Sequence, residues 1–236
     1  MSIPENLVAI HERIARAARR TGRSPDDIRL MAVSKTVAAE RIIEAFKAGQ
    51  RLFGENRVQE FDDKYAALRQ LSGAEFHMIG HLQSNKAAKA VELFHAVDSL
   101  DSVKLGDRLN AAAEKLSQTR ESLIEINIGG EEAKSGVAPA SVELERILDA
   151  APGWTHLRVS GLMTVPPFTD DPGGARPFFR KLRELRDRLA QRNLPAIRLD
   201  VLSMGMSHDF EVAIEEGSTC VRIGTAIFGE RRRQTT

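Results

Sequence analysis

The chain has 236 residues, of which 42% are hydrophobic and 28% are charged, and its formal net charge is +1. This composition is ordinary for a soluble globular protein, and the balanced charge gives no general attraction to nucleic acid or to an anionic membrane. No apolar run approaches the roughly 18 residues of a spanning helix, and no signal-peptide pattern is visible. The single cysteine excludes an intrachain disulfide. We therefore expect a cytoplasmic protein without membrane or nucleic-acid partners.

The first predicted element is an amphipathic helix over residues 3–20. Leu7, Ile10 and Ile14 recur at helical spacing, and Ser2 with Glu5 resembles a capping box. After this helix, short apolar runs that predict strands alternate with helical patterns. The strand candidates are residues 30–33, 51–53, 76–79, 94–97, 123–128, 157–163, 199–203 and 219–223.

Strict alternation of strand and helix favours a parallel sheet with helical crossovers. Eight repeats in a chain of this length fit a (β/α)8 barrel, whose usual size is roughly 250 residues. An open doubly wound sheet is the alternative. We predict a single TIM-type α/β barrel with an extra N-terminal helix. We also predict one domain over residues 1–236, because strands and helices continue to alternate beyond the turn-rich loop at 166–174.

Lys35 stands directly after the first predicted strand, where the chain enters a helical pattern. Side chains at that point face the region where α/β folds bind their ligands. Partial desolvation there favours a neutral amine, which can form a Schiff base. Because most lysines at strand ends are simply solvated, this interpretation needs support from the rest of the chain.

Two later segments predict an anion site. Residues 203–207 follow the seventh predicted strand and offer two hydroxyls and a glycine, while Gly224 and Thr225 begin a short helix after the eighth. Barrels commonly bind phosphate after strands seven and eight, where helix N-termini present free N–H groups. No dinucleotide or P-loop string occurs, which makes a nucleotide less favoured.

A phosphate site together with a strand-end lysine suggests pyridoxal 5′-phosphate. This cofactor needs an amine for its aldehyde, an anion site for its phosphate and a group that faces its pyridine nitrogen. Arg222, at the end of the eighth predicted strand, is our candidate for the third role. Its positive charge would keep that nitrogen unprotonated by like-charge repulsion and make the ring a weaker electron sink.

The strings AVSK (32–35), FGENRVQE (53–60), IGHLQSNK (79–86), VDS (97–99), GLMT (161–164), LSMGMS (202–207) and VRIGTAIFG (221–229) occur in this order along the chain. On these strings the chain resembles the pyridoxal phosphate homeostasis proteins, single-domain relatives of the alanine racemase barrel. The resemblance implies cofactor on Lys35, Asn56 near its ring, Ser203, Gly224 and Thr225 at the phosphate, and Arg222 at the pyridine nitrogen. Two residues depart from the family pattern: Arg57 stands where a tyrosine is expected, and Gly129 where serine is more usual.

Two functional classes remain, a non-catalytic carrier of the cofactor and an amino-acid racemase-like enzyme; a third, an interaction scaffold, stays open. Racemisation needs a base on each face of the substrate carbon. In the racemase relatives one base is the lysine and the other is a tyrosine from a second domain. Here the pattern ends just after the eighth strand, and the only tyrosine, Tyr65, lies in a helical stretch. We therefore expect a monomeric carrier that acts in intracellular vitamin B6 homeostasis, contacts cofactor-dependent apo-enzymes and binds no metal.

Overall fold

Strands and helices alternate around a closed parallel barrel. In the computed structural model, which describes residues 2–131 and 134–229, the strands are β1 (Arg29–Val33), β2 (Leu52–Glu55), β3 (Glu75–Met78), β4 (Ala96–Leu100), β5 (Arg120–Glu125), β6 (Leu157–Met163), β7 (Ile197–Ser203) and β8 (Cys220–Ile223). The helices are α1 (Ile3–Arg20), α2 (Ala39–Lys47), α3 (Val58–Leu68), α4 (Ala87–Leu93), α5 (Val103–Lys115), α6 (Val142–Ala150), α7 (Arg176–Ala190), α8 (Phe210–Glu215) and α9 (Thr225–Phe228). Each strand pairs with its neighbours in chain order, and β8 pairs with β1. The predicted TIM-type α/β barrel with an extra N-terminal helix is confirmed.

The extra helix α1 packs its apolar face onto the barrel's outer layer, against α8 and α9. Ile3, Leu7 and Ile10 on that face are buried, and the capping box of Ser2 and Glu5 is present. Arg13 on α1 adds an ion pair to Glu211 of α8 at 3.2 Å. Burial of the apolar stripe is what holds this helix in place, because partly exposed ion pairs contribute little.

Side chains alternate between the barrel interior and the layer below the helices. Met31, Leu52 and Cys220 form a separate apolar cluster inside the strands. Because successive strand residues point to opposite faces, Arg222, two positions after Cys220, faces the interior as well. The opposite strand faces pack on the helices, as where Phe61 of α3 contacts Phe76 of β3 with ring centroids 4.8 Å apart.

The predicted strands are all present, with shifted ends in most cases. β6 has its predicted bounds, but β4 begins at Ala96 because the N–H of Phe94 still donates to Ala90 as the C-cap of α4. β5 ends at Glu125, three residues early, since Ile126 forms only an isolated bridge with Val137. Across the two described ranges, none of the helices is both long enough and apolar enough to cross a membrane.

Candidate functional site

All six predicted site residues lie at the C-terminal ends of strands, at one mouth of the barrel. Lys35 follows β1, Asn56 follows β2, Ser203 ends β7, Arg222 lies on β8, and Gly224 and Thr225 follow β8. In the closed barrel β7, β8, β1 and β2 are consecutive neighbours. The fold therefore brings these residues, which are far apart in sequence, to one half of a single mouth.

Lys35 is half-buried in a tight turn between β1 and α2. The next residue, Thr36, has φ of 62°, a left-handed conformation that is uncommon for a β-branched residue. The carboxylate of Glu60 accepts a hydrogen bond from the Thr36 N–H, and the Ser34 carbonyl accepts one from Val37. Backbone strain of this kind persists only where surrounding contacts determine it, so the conformation of the Lys35 turn is imposed by its neighbours.

A buried polar network supports this turn from outside the barrel. Ser34 and Glu55 are fully buried, and Ser34 Oγ donates to Glu55 Oε1 at 2.7 Å. Lys64 of α3 reaches into the same space, and its Nζ donates to Glu55 Oε1 at 2.9 Å and to the Ser34 carbonyl at 3.3 Å. Burial raises the pKa of Glu55, although Lys64 and Ser34 partly offset it. The network links α3 to the residue that precedes Lys35.

Arg222 and Ser203 are joined directly inside the mouth. Arg222 is 3% exposed; its Nη1 donates to Ser203 Oγ at 2.7 Å, and its Nη2 donates to the Thr164 carbonyl at 2.6 Å. Burial lowers the pKa of Arg222, while Cys220, Asp98 and other acidic groups counteract it. Ser203 is fully buried, so its hydroxyl orients the guanidinium, a contact that sequence reasoning did not predict.

Gly224 brings the end of β8 close to the end of β1. A Cβ at this position would lie 3.3 Å from the Val33 carbonyl oxygen, tighter than ordinary contact. Gly224 is the N-cap of α9, and Thr225 is its exposed first residue. The first N–H groups of a helix lack intrahelical partners, so this turn has backbone donors two residues beyond Arg222 along the chain.

Glu125 at the end of β5 is a candidate that the sequence analysis missed. It is 8% exposed, and burial, followed by the negative charge of Asp101, raises its pKa to about 7. Arg222 and His81 act in the opposite direction. A charged residue within the apolar run Leu123–Ile128 is the sequence signal that could have identified it.

A cavity of about 680 Å³ lies at the opposite mouth of the barrel, and none of the predicted site residues lines it. Several of its charged side chains pair with one another. His77 lies 3.1 Å from Asp98, and Arg29 lies 2.6 Å from Glu75. Burial alone would lower the pKa of His77, but Asp98 and Glu75 outweigh it and raise it to about 9. Within the described ranges, no group of three or more His, Cys, Asp or Glu side chains is arranged to hold a metal ion.

The two departures from the family pattern lie outside the barrel interior. Arg57 is exposed at the N-cap of α3. At Gly129 an added Cβ would come within 2.7 Å of two ring carbons of Pro167. Glycine therefore lets the segment after β5 approach the loop after β6 more closely than the usual serine would.

Comparisons with known proteins agree with this architecture. A family model described as alanine racemase, N-terminal domain, matches residues 6–232. The pyridoxal phosphate homeostasis protein of Aquifex aeolicus is 47% identical over 232 residues, which are 98% of this chain and 100% of that protein. The structure of PipY from Synechococcus elongatus with PLP bound superposes with a TM-score of 0.83 and 36% identity, and covers 97% of this chain and 100% of PipY. A Clostridium difficile alanine racemase is similar at a TM-score of 0.71 and 15% identity, over 99% of this chain and 58% of that enzyme, which shows a shared fold.

Proposed function

Since the chain belongs to the pyridoxal phosphate homeostasis protein family, we propose that it binds pyridoxal 5′-phosphate at the C-terminal mouth of its barrel, as a Schiff base on Lys35. The whole chain, residues 1–236, would form one cofactor-binding barrel that acts as a monomer in the cytoplasm, in vitamin B6 homeostasis. The proposal extends to this chain what the relatives' names and the PLP-bound PipY structure say of those proteins.

The observation that carries the proposal is that Lys35 and Arg222 come from adjacent strands of the barrel. β1 and β8 are hydrogen-bonded neighbours, with Met31 in register with Arg222 and Ala32 with Ile223. The lysine that follows β1 and the guanidinium on β8 therefore face one mouth from adjacent strands. An amine and a fixed cation at one mouth suit a ligand that carries an aldehyde and a basic ring nitrogen.

Each remaining residue fits a distinct part of the cofactor. Arg222, oriented by Ser203 and the Thr164 carbonyl, would face the pyridine nitrogen and disfavour its protonation. Gly224 and Thr225 would offer backbone donors to the phosphate, with Ser203 nearby, and Asn56 would lie beside the ring. When bound, the cofactor supplies an electron-withdrawing ring, which the positive charge of Arg222 would weaken.

We propose a carrier function rather than catalysis. The tyrosine that serves as second base in racemases has no counterpart in this mouth, because Tyr65 lies on α3, where its ring packs edge-on against Phe61 at 5.9 Å. The buried hydrogen bonds of Glu55 hold the turn that carries Lys35 in place. The two hydrogen bonds that Arg222 donates, to Ser203 and to the Thr164 carbonyl, fix its guanidinium. A fixed site of this kind suits retention of a cofactor.

Absorption spectroscopy and borohydride reduction test the proposal. Purified protein supplied with pyridoxal 5′-phosphate should absorb in the near-visible, and reduction should leave a pyridoxyl adduct on Lys35. Lys35→Ala should lose both signals, whereas Lys47→Ala, a change at the C-terminal end of α2, should keep them. An adduct found mainly on another lysine would refute the assignment of Lys35.

A further inference from the structure

Two buried side-chain oxygen or nitrogen atoms of the described residues lack a hydrogen-bond partner, Oε2 of Glu55 and Oε2 of Glu125. The other oxygen of Glu55 accepts hydrogen bonds from Ser34 and Lys64, so that carboxylate is already neutralised by an ammonium. Glu125 is 8% exposed, and no cation forms a salt bridge with it among the described residues. A buried polar atom without a partner is costly in a folded protein, and a ligand would supply the missing contact.

Glu125 points into the barrel. Glu121 and Leu123 of the same strand line the interior cavity at the other mouth, and alternation places Glu125 on the same face. Arg222, an interior residue, acts electrostatically on its carboxyl. In an eight-stranded barrel closed in chain order, β5 is four strands from β1 in either direction. Glu125 therefore faces the mouth from the side opposite Lys35.

Burial, together with the charged groups around it, leaves the carboxyl of Glu125 close to half-ionised at neutral pH. Asp101, after β4, disfavours the charged form, whereas Arg222 of β8 and His81, after β3, favour it. His81 is itself paired with Asp101 at 3.1 Å. The segment after β5 packs on Glu125 through Gly136, where an added Cβ would lie 3.0 Å from Glu125 Cγ, and its Lys134 is paired with Glu131. On β6, the register partner of Glu125 is the uncharged Met163.

We propose that Glu125 is a further cofactor-binding residue, whose neutral carboxyl donates a hydrogen bond from Oε2 to an oxygen of bound pyridoxal 5′-phosphate. The inference rests on the proposed function and adds a contact on the far side of the mouth. The cofactor's phosphate and ring oxygen are anionic acceptors, so an ionised Glu125 would repel them and a protonated one would bind them. Binding would thus draw up to one proton onto Glu125, according to the fraction that is ionised beforehand, and a rise in pH would favour release.

The test compares cofactor affinity in three proteins across pH. Glu125→Gln keeps the shape and a donor but cannot ionise, and Glu121→Gln makes the same change on the same strand at the opposite mouth. The three proteins differ only at Glu125 and Glu121, so the ratio of their dissociation constants isolates the contribution of Glu125. Because the pKa of Glu125 is about 7, wild-type affinity relative to Glu125→Gln should fall by up to about thirtyfold between about pH 6 and pH 8.5. Glu121→Gln should follow the wild type.

A second measurement counts protons directly. Calorimetric titration with pyridoxal 5′-phosphate near pH 8, in two buffers of different ionisation enthalpy, should show greater proton uptake for wild type than for Glu125→Gln, by close to one proton. Glu125→Met, which lacks any donor, should bind more weakly than Glu125→Gln at every pH. A constant affinity ratio and equal proton uptake would overturn the role of Glu125 while leaving cofactor binding intact. Failure of wild type to bind the cofactor at all would instead refute the proposed function.

Discussion

The ammonium of Lys64 lies 2.9 Å from the carboxylate of Glu55, in a buried pair behind the turn that carries Lys35. Lys64 also donates to the carbonyls of Ser34 and Val37, the residues on either side of Lys35 and Thr36. One side chain of α3 therefore fixes both ends of the turn. The turn is determined by tertiary contacts, in keeping with the left-handed conformation of Thr36.

Removing Lys64 should destabilise the fold strongly. Lys64→Met would leave Glu55 buried without its cation, and breaking one side of a buried ion pair costs about 3–5 kcal/mol. Urea denaturation should show this loss in the free energy of unfolding. Lys89→Met is the matched control, because the Lys89–Asp62 pair has a similar length, 2.9 Å, but is open to solvent; its loss should have little effect, since water and salt screen such pairs. Equal effects of the two substitutions would contradict the role of the network.

Ser203→Ala should weaken cofactor binding more than Thr225→Ala does. Loss of the Ser203 hydroxyl leaves a buried N–H of Arg222 without its acceptor, and a hydrogen bond to a charged group contributes about 1.5–3 kcal/mol. Affinity for pyridoxal 5′-phosphate should then fall about tenfold or more. Thr225 is exposed, and its backbone N–H survives the substitution. Spectroscopic titration compares the two, and an unchanged dissociation constant for Ser203→Ala would remove Ser203 from the site.

The sequence predicted the barrel and the position of six residues at its mouth, because these follow from periodicity, strand ends and matching strings. It could not predict which polar groups meet across the fold. Lys64 lies in a helical stretch and looks like a solvent-facing residue, yet it reaches the buried Glu55. Ser203 was predicted as a phosphate contact from its place after a strand, while its bond to Arg222 depends on the pairing of β7 with β8.

Glu125 escaped prediction for a related reason. The run Leu123–Ile128 indicates a strand, but which strand residues face the barrel axis depends on register and on closure of the sheet. The predicted strand extended to residue 128, which placed Glu125 in its middle rather than at the mouth. The observed end of β5 at Glu125 moves the carboxyl to the C-terminal edge, with the other site residues.

Stability should depend on pH through His77. Its pKa is about 9 in the folded chain, against 6.5 for an ordinary histidine. A raised histidine pKa stabilises the fold fully below pH 6.5, and the contribution is lost as pH rises through about 9. Since one pKa unit corresponds to about 1.4 kcal/mol, the contribution is on the order of 3 kcal/mol. His77→Gln should therefore lower the free energy of unfolding at about pH 6 by this amount, and by much less at about pH 9.5.

His81→Gln is the control for that experiment. His81 also lies 3.1 Å from an aspartate, Asp101, but its side chain is 54% exposed. Its effect on the free energy of unfolding should stay below about 1 kcal/mol. Chemical denaturation of both variants and of wild type over this pH range gives the comparison. A His77→Gln deficit that does not shrink as pH rises would show that the imidazolium is not the source of stability.

The last prediction is that the loaded protein passes its cofactor on and does not turn over amino acids. Catalysis at the substrate carbon requires a proton acceptor on the face away from the lysine, and Tyr65 is held on α3. Incubation with L-alanine or L-serine should give no racemisation or elimination above that of free pyridoxal 5′-phosphate, whereas an added apo-enzyme should gain activity from the loaded protein. Glu125 is the residue to check as an alternative second base, because its carboxyl faces the mouth from the side opposite Lys35. Multiple turnovers that are abolished by Lys35→Ala and by Glu125→Gln, but not by Glu121→Gln, would identify Glu125 as a second base and replace the carrier with an enzyme.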